Sequence, residues 1–388
     1  MSNEITFRYL PLSRYESGKT TIRRPREITY FSYDDQRKLL PLSEASLKYY
    51  CPPFFGAHGE QDHNYPHHLS EGFQSFQKHD DTIDEHLDAL LDTLQAHEEQ
   101  TSQKVEADVL TWRGMMTKIL IAPYDRFDGF EMNATFSKTA DTLSFLEEHH
   151  AAKRQNEQAR PQRPRPGQPS PAEMQYWGYK FEALSTLAQR RVEAPREVIE
   201  NRSKQIVNNS EQYCSIVQTG IGDTNLVIAG EVDAVLGEKP EDTSEAIPWV
   251  ELKTTKEIEN QKDADKYEDK LLKFWAQSFL LGVPHVVVGF RSMDGRLLRI
   301  EQIDTHRIPT IAKQMAAREN RRTWDGNLCV NFAADLLGFL KKHVNQPGVV
   351  WRLAHRSRSG VVTLSVDNTI APSSILKASF SAHRENFA

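Results

Sequence analysis

Glu182, Glu231, Asp233 and Glu251, with Lys253 and Gln277, stand where metal-assisted phosphate chemistry would use them. They fall in Gly178-Tyr-Lys-Phe-Glu182, Gly230-Glu-Val-Asp233, Glu251-Leu-Lys253 and, further on, Gln277. In an extended strand, side chains two apart share a face. Glu231 and Asp233 therefore point one way while Val232 turns to the core, and Glu251 and Lys253 do the same around Leu252. If the two strands pair, Asp233 and Glu251 become neighbours with Lys253 beside them. Glu182, on a helix, would close the cluster from the side. Carboxylates gathered in this way repel one another unless a cation sits among them, and oxygen ligands select Mg2+ or Mn2+. Two such ions would activate a water, steady a leaving oxygen and clamp a phosphate. The lysine would position that water or offset charge building on the phosphate. Taken singly each motif is ordinary: a common tripeptide, the wet side of an edge strand, a turn of amphipathic helix. Their joint order carries the reading.

The elements that must position these groups follow from periodicity. Residues 80–99 show helical spacing through Ile83, Leu87, Leu90, Leu91 and Leu94, whereas 109–121 fits helix or strand. A helix is expected over 172–191, strands over 213–218, 226–236 and 249–254, and a helix over 264–281 that stops at Gly282-Val-Pro284. A buried strand at 285–290, a helix over 332–344 and edge strands at 348–353 and 360–366 complete the chain, after irregular strands and turns over 2–53. The proline-rich, basic stretch 151–172 reads as a mobile loop, unable to bury enough apolar surface to offset its ordering entropy. Helix, three strands, helix, strand resembles the core order of PD-(D/E)xK nucleases.

Bulk properties set the boundaries. The chain has 388 residues, a formal net charge of −6 and three scattered cysteines, Cys51, Cys214 and Cys329. That charge argues against non-specific coating of nucleic acid. No run reaches the roughly 18–20 apolar residues of a membrane span, and the start lacks signal-peptide features, so an intracellular, reducing compartment without a membrane is expected. Asp62-His-Asn-Tyr-Pro-His-His68 and His149-His150 lack partners at zinc spacing and read as surface histidines. There is no glycine-rich phosphate loop and no Gly-x-Ser-x-Gly elbow.

Thr111-Trp-Arg-Gly114, Gly178–Glu182, Gly230–Asp233, Glu251-Leu-Lys-Thr254, Lys273-Phe-Trp-Ala-Gln-Ser-Phe279, Val283–Arg291 and Trp324-Asp-Gly-Asn resemble, in order, the motifs of the DXO/Rai family of RNA decapping nucleases. The resemblance implies a mixed α/β (α+β) single domain over 1–388, two β-sheets flanked by helices with a PD-(D/E)xK-nuclease-like core. It implies hydrolysis of RNA 5′ triphosphate to release pyrophosphate, removal of unmethylated or NAD caps, and in some members 5′→3′ degradation. Glu182, Asp233, Glu251 and the main-chain carbonyl of Leu252 resemble direct metal ligands, and Glu231 one that works through metal-bound water and substrate. Lys253 and Gln277 resemble groups around the scissile phosphate. Trp112, Arg113 and Gly114 resemble the contact to the RNA 5′ end, with Arg113 supplying a forked cation. Cys214, Glu85 and Arg24 resemble substrate-pocket positions. Asp125–Asn133 looks most like the fungal nuclear members, which implies a nucleus-resident partner of a 5′→3′ exoribonuclease of the Rat/Xrn class; cytoplasmic residence stays open. Two other functions stay open as well: a chiefly structural activator of that exoribonuclease, and a distributive exoribonuclease.

Overall fold

A computed structural model describes residues 4–54, 65–138, 143–159, 168–242 and 245–385. Within them the strands form two mixed sheets. Numbered along the chain, the larger runs in spatial order β1 (Ile5–Arg8), β16 (Val361–Val366), β15 (Val350–His355), β6 (Phe130–Ser137), β7 (Leu143–Glu148), β5 (Val109–Trp112), β10 (Thr224–Glu231), β9 (Gln212–Ile221), β2 (Ile22–Tyr33) and β3 (Leu39–Pro41). The smaller runs β14 (Leu297–Asp304), β13 (His285–Arg291), β12 (Trp249–Lys256), β11 (Ala234–Val235), β4 (Tyr49–Tyr50) and β8 (Thr186–Leu187). The helices are α1 (Asp88–Thr101), α2 (Arg113–Ile121), α3 (His150–Ala159), α4 (Pro171–Ser185), α5 (Arg196–Asn201), α6 (Gln261–Leu281), α7 (Ile308–Arg318), α8 (Gly326–His343), α9 (Pro372–Ile375) and α10 (Ala378–Glu385).

Strand periodicity explains the layering. In β10, Leu226 and Ile228 join the central core with α2, α6 and α8, while Val227 and Ala229 turn outward under α1 and α10. In β13, Val286, Val288 and Phe290 face that central core and Val287 faces α4. Alternation in β12 sends Val250 and Leu252 toward α4, with Trp249 in the central core. Glu251 and Lys253 share the parity of Trp249 and so turn into the space between the sheets.

α6 links two parallel strands, β12 and β13, as a parallel pair requires. Its ends are built from local chemistry: the Asn260 side chain accepts the Asp263 N–H at 3.1 Å, and Gly282 takes φ +70° at the C-terminus. α4 begins likewise, with Ser170 accepting the Glu173 N–H at 3.1 Å and Pro171 in the first turn.

Several expectations need correction. The 80–99 helix starts only at Asp88, and the 172–191 helix ends at Ser185. The 332–344 helix begins earlier, at Gly326. Residues 109–121 are both strand and helix, breaking at Trp112. Within the irregular strands and turns expected over 2–53, residues 22–33 form one twelve-residue strand whose register shifts between Arg23 and Arg26 and between Glu27 and Thr29. The 151–172 loop is helical over 150–159 and again from Pro171, while 160–167 lies outside the described residues. Ala-Ala-Lys-Arg-Gln-Asn-Glu-Gln-Ala is made mostly of helix formers, so backbone propensity prevails there without a buried face. The histidines are not all at the surface. His149 is buried beside Arg352 and Asp367, and His67 is buried against the Pro53 carbonyl at 3.1 Å; 62–64 lie outside the described residues.

Phe181 anchors α4. It is fully buried, and its ring lies so close to Gly289 of β13 that a Cβ there would meet it at 2.7 Å. Phe181→Ala should cost about 3–5 kcal/mol of unfolding free energy, read as a lower urea midpoint. An unchanged midpoint would refute this packing.

Candidate active site

The chain passes from one sheet to the other between β10 and β11, and the acidic residues cluster at that passage. β10 ends at Glu231, paired across the ladder with Cys214, and after buried Val232 the chain enters the smaller sheet. Glu231 and Asp233 thus do not stand on one strand, the first closing the larger sheet and the second lying in the passage, but they line the same cavity while Val232 is buried in the core, as the spacing suggested. β11 pairs antiparallel with β12, Ala234 opposite Val250, which puts Asp233 opposite Glu251. Asp233 Oδ2 accepts the Leu252 N–H at 2.6 Å.

Arg113 reaches this point from the other side. β5 runs parallel to β10, with Trp112 opposite Ala229, and α2 starts immediately afterwards. The arginine stem lies against Gly230, where an added Cβ would meet Arg113 Cβ at 2.8 Å. Only glycine allows that approach. Arg113 Nη1 bonds Glu251 Oε2 at 2.9 Å, and Lys253 Nζ bonds Glu251 Oε1 at 2.6 Å. Glu182, Glu231 and Asp233 line a cavity of about 210 Å3 with Lys48, Tyr179 and Gln212. Gln277 and Gly114 line a second cavity of similar size alongside Lys273 and Lys118.

The charges are answered unequally. Burial opposes ionisation of Glu251, yet Arg113 and Lys253 overcome it and hold the carboxyl down to about 2. Burial pushes Glu182 up to about 7, with the charges of Glu231 and Glu251 adding to the effect. Burial, then Glu251 and Glu182, raise Asp233 well above the usual carboxylate range. Glu231 is raised by burial, and Arg113 opposes that rise. Among the described residues the Glu182 carboxylate has no hydrogen-bond or ion-pair partner. No three acidic, histidine or cysteine side chains in that set already converge as a closed metal cage. The pocket is short of positive charge at Glu182 and Asp233, and saturated at Glu251.

The structure thus brings together Glu182, Glu231, Asp233, Glu251, Lys253 and Arg113, and places Gln277 and Gly114 at the adjoining cavity. Trp112 is fixed by its indole N–H, which donates to the His86 carbonyl at 2.8 Å. Cys214 lies buried beside Glu231, and burial pushes its thiol upward. Arg24 is not part of this group. It lines a separate cavity with Arg26, Glu27, Trp249 and Gly282. The arginine that meets Glu85 is Arg37, from the turn between β2 and β3, forking onto both carboxylate oxygens at 2.7 and 2.8 Å. Arg37 also bonds Gln212, whose side-chain N–H donates to Glu231 Oε2 at 3.1 Å. Sequence reasoning missed Arg37, Gln212, Lys48 and Tyr179. A polar turn residue with φ +66° carries no periodic signal that would have found the first.

A carboxylate-and-lysine pair on a strand of a mixed sheet, joined by acids from a flanking helix and a neighbouring strand, defines a hydrolase of the PD-(D/E)xK type. The model of RAI1-like PD-(D/E)XK nucleases matches residues 23–381. The decapping nuclease RAI1 of Emericella nidulans is 48% identical over 382 residues, covering 98% of this chain and 99% of the relative. That of Aspergillus fumigatus is 48% identical over 375 residues, covering 97% of each. Candida albicans Rai1 in complex with pU5-Mn2+ superposes with a TM-score of 0.84 at 26% identity, covering 100% of both chains. Scheffersomyces stipitis Rai1 in complex with (3′-NADP)+ and calcium ion gives 0.80 at 26% identity, over 95% and 97% of the two chains. The chain belongs to the RAI1-like PD-(D/E)XK nuclease family, and it is a hydrolase of that class.

The raised Glu182 carboxyl fixes the sign of a stability effect. An unfolded glutamate titrates near about 4.3, so the folded form loses relative stability as pH climbs from there through about 7. With divalent ions chelated, Glu182→Gln should raise Tm at pH 8, and the gain should shrink steeply by pH 5. A gain that does not depend on pH would contradict the charge crowding.

Proposed function

We propose that this protein is an RNA 5′-end quality-control hydrolase that uses divalent cations, Mg2+ or Mn2+ and two of them. It would release pyrophosphate from 5′-triphosphorylated RNA and remove unmethylated or NAD caps. One observation carries the reading: four carboxylates crowd together, and two of them, Glu182 and Asp233, have no ion-pair partner among the described residues and are pushed up by burial and by their acidic neighbours. The relatives named as decapping nucleases support it, as do the Candida neighbour with pU5-Mn2+ and the Scheffersomyces neighbour with a dinucleotide and calcium.

The donor set is entirely oxygen, which suits hard cations. In this reading Glu182, Asp233, Glu251 and the Leu252 carbonyl hold the ions, and Glu231, steadied by Gln212, serves metal-bound water and substrate. When bound, the ions supply Lewis acidity and a water that is nucleophilic at neutral pH. Arg113 now answers Glu251, and it can exchange that carboxylate for a phosphate oxygen without ever leaving its fork unpaired. Lys253 and Gln277 flank the scissile phosphate, and Trp112 and Gly114 frame the 5′ end. Glu85 and Cys214 line the substrate pocket. Nuclear residence and stimulation of a Rat/Xrn-class exoribonuclease belong to the same proposal, on the likeness of Asp125–Asn133 to fungal nuclear members.

Purified protein with Mn2+ or Mg2+ should act on RNAs that differ only in their 5′ group, releasing pyrophosphate from the triphosphate end. Chelation should abolish this. The double variant Glu231→Ala with Asp233→Ala should lose about a hundredfold or more in rate and still unfold cooperatively. Undiminished pyrophosphate release by that variant would sink the assignment. A ladder of mononucleotides would point to an exonuclease. Stimulation of the exoribonuclease without any turnover would point to a structural activator. Arg113→Ala should weaken RNA binding by about tenfold or more, as the loss of a charge-assisted hydrogen bond implies; unchanged affinity would remove Arg113 from the RNA contact.

A further inference from the structure

A further cation, Lys270, lies along the same strand–helix–strand unit, and among the described residues no carboxylate answers it. Because α6 connects the end of β12 to the start of β13, it runs antiparallel to both. Gln277, late in α6, is therefore level with the early part of β12. Lys270 lies seven residues before it on the same helix face and is level with the strand's end. Its amine donates to Thr255 Oγ1 at 3.0 Å. Thr255 follows Lys253 by two residues and shares its strand face, about 7 Å further on.

Across the ladder, Thr255 and Lys256 pair with Phe290 and Arg291 at the end of β13. The Arg291 guanidinium stacks on the Trp177 ring at 4.2 Å and donates to the Ser292 carbonyl at 3.1 Å, while its buried Nε has no acceptor. Among the described residues neither Lys270 nor Arg291 has a carboxylate partner. The acids nearby are already engaged: Glu259 and Asp263 by Lys256, and Glu257 by Arg299. Burial, with Arg291 and Lys266 as like-charged neighbours, lowers the Lys270 ammonium to about 8. Half-buried cations left unpaired are costly, and the carboxyl ends of parallel strands are where ligands gather in sheets of this kind.

The geometry points to a phosphate subsite, formed by Lys270 and Thr255, that takes a backbone phosphodiester of RNA on the 3′ side of the reacting end. It rests on the RNA-hydrolase reading above. The direction follows from Arg113: that residue, assigned to the 5′ end, meets β12 at Glu251, and the step from Glu251 through Lys253 to Thr255 leads away from it.

The test compares binding of 5′-phosphorylated uridine dimers and pentamers over a salt series in Ca2+, for wild type, Lys270→Gln and Lys270→Arg. Lys270→Gln should weaken the pentamer about tenfold and reduce the slope of log K against log salt by about 0.7. That loss should exceed the loss for the dimer about fivefold or more, and Lys270→Arg should keep the slope. Equal losses at both lengths, or an unchanged slope, would overturn the subsite. So would a selective loss of inhibition by free pyrophosphate, which would mark a leaving-group site instead. Wild-type turnover of triphosphorylated RNA is measured in parallel. A wild type that does not hydrolyse counts against the function, whereas a hydrolysing wild type with unaltered Lys270→Gln binding counts against the subsite alone.

Discussion

Between Glu231 and Ala234 the chain leaves one sheet and enters the other, and the whole acidic pocket is arranged around that passage. It brings the last carboxylate of β10 and the antiparallel partner of Glu251 within one turn of chain. Arg113 ties the two sheets together there, because its helix starts from a strand of the larger sheet and its guanidinium ends on a carboxylate of the smaller. Gly230 makes the tie possible by having no side chain to stand in the way.

The electrostatics follow from that placement. Two cations converge on Glu251, so one carboxylate is fully ionised and its neighbours bear the excess charge. An isolated buried acid would simply hold its proton. Here the excess is shared among groups from a helix, a strand end and the passage itself, which leaves a space that prefers positive charge without being closed around it. The net charge of −6 is in part concentrated at this spot, and Lys253 and Arg113 lie inside it rather than at a distance.

Much of this was legible in the residues. The strand–helix–strand unit of β12, α6 and β13 announced itself through a buried apolar run and the stop at Gly282, and Glu251 and Lys253 do share a face. The passage was not legible, since residues 226–236 read as one continuous strand-like run and nothing local says that residues 232 and 233 change sheets. Periodicity also could not place turn residues. Arg37 acts from a hairpin turn whose position depends on tertiary pairing of β2 with β9, whereas Arg24, in a more conspicuous basic run, ends up elsewhere. The helix α3 shows the opposite failure: composition suggested disorder, but a stretch of good helix formers needs little tertiary support to be helical.

The separation of the pocket's parts along the chain has a consequence for biosynthesis. Arg113, Glu182, Glu231 and Glu251 come from α2, α4, β10 and β12, and contacts so distant in sequence form late, once long loops have been closed. A nascent or partly folded chain would hold these groups apart, and the chemistry would switch on only when both sheets have docked. An enzyme built this way is inert toward RNA until its own folding is complete.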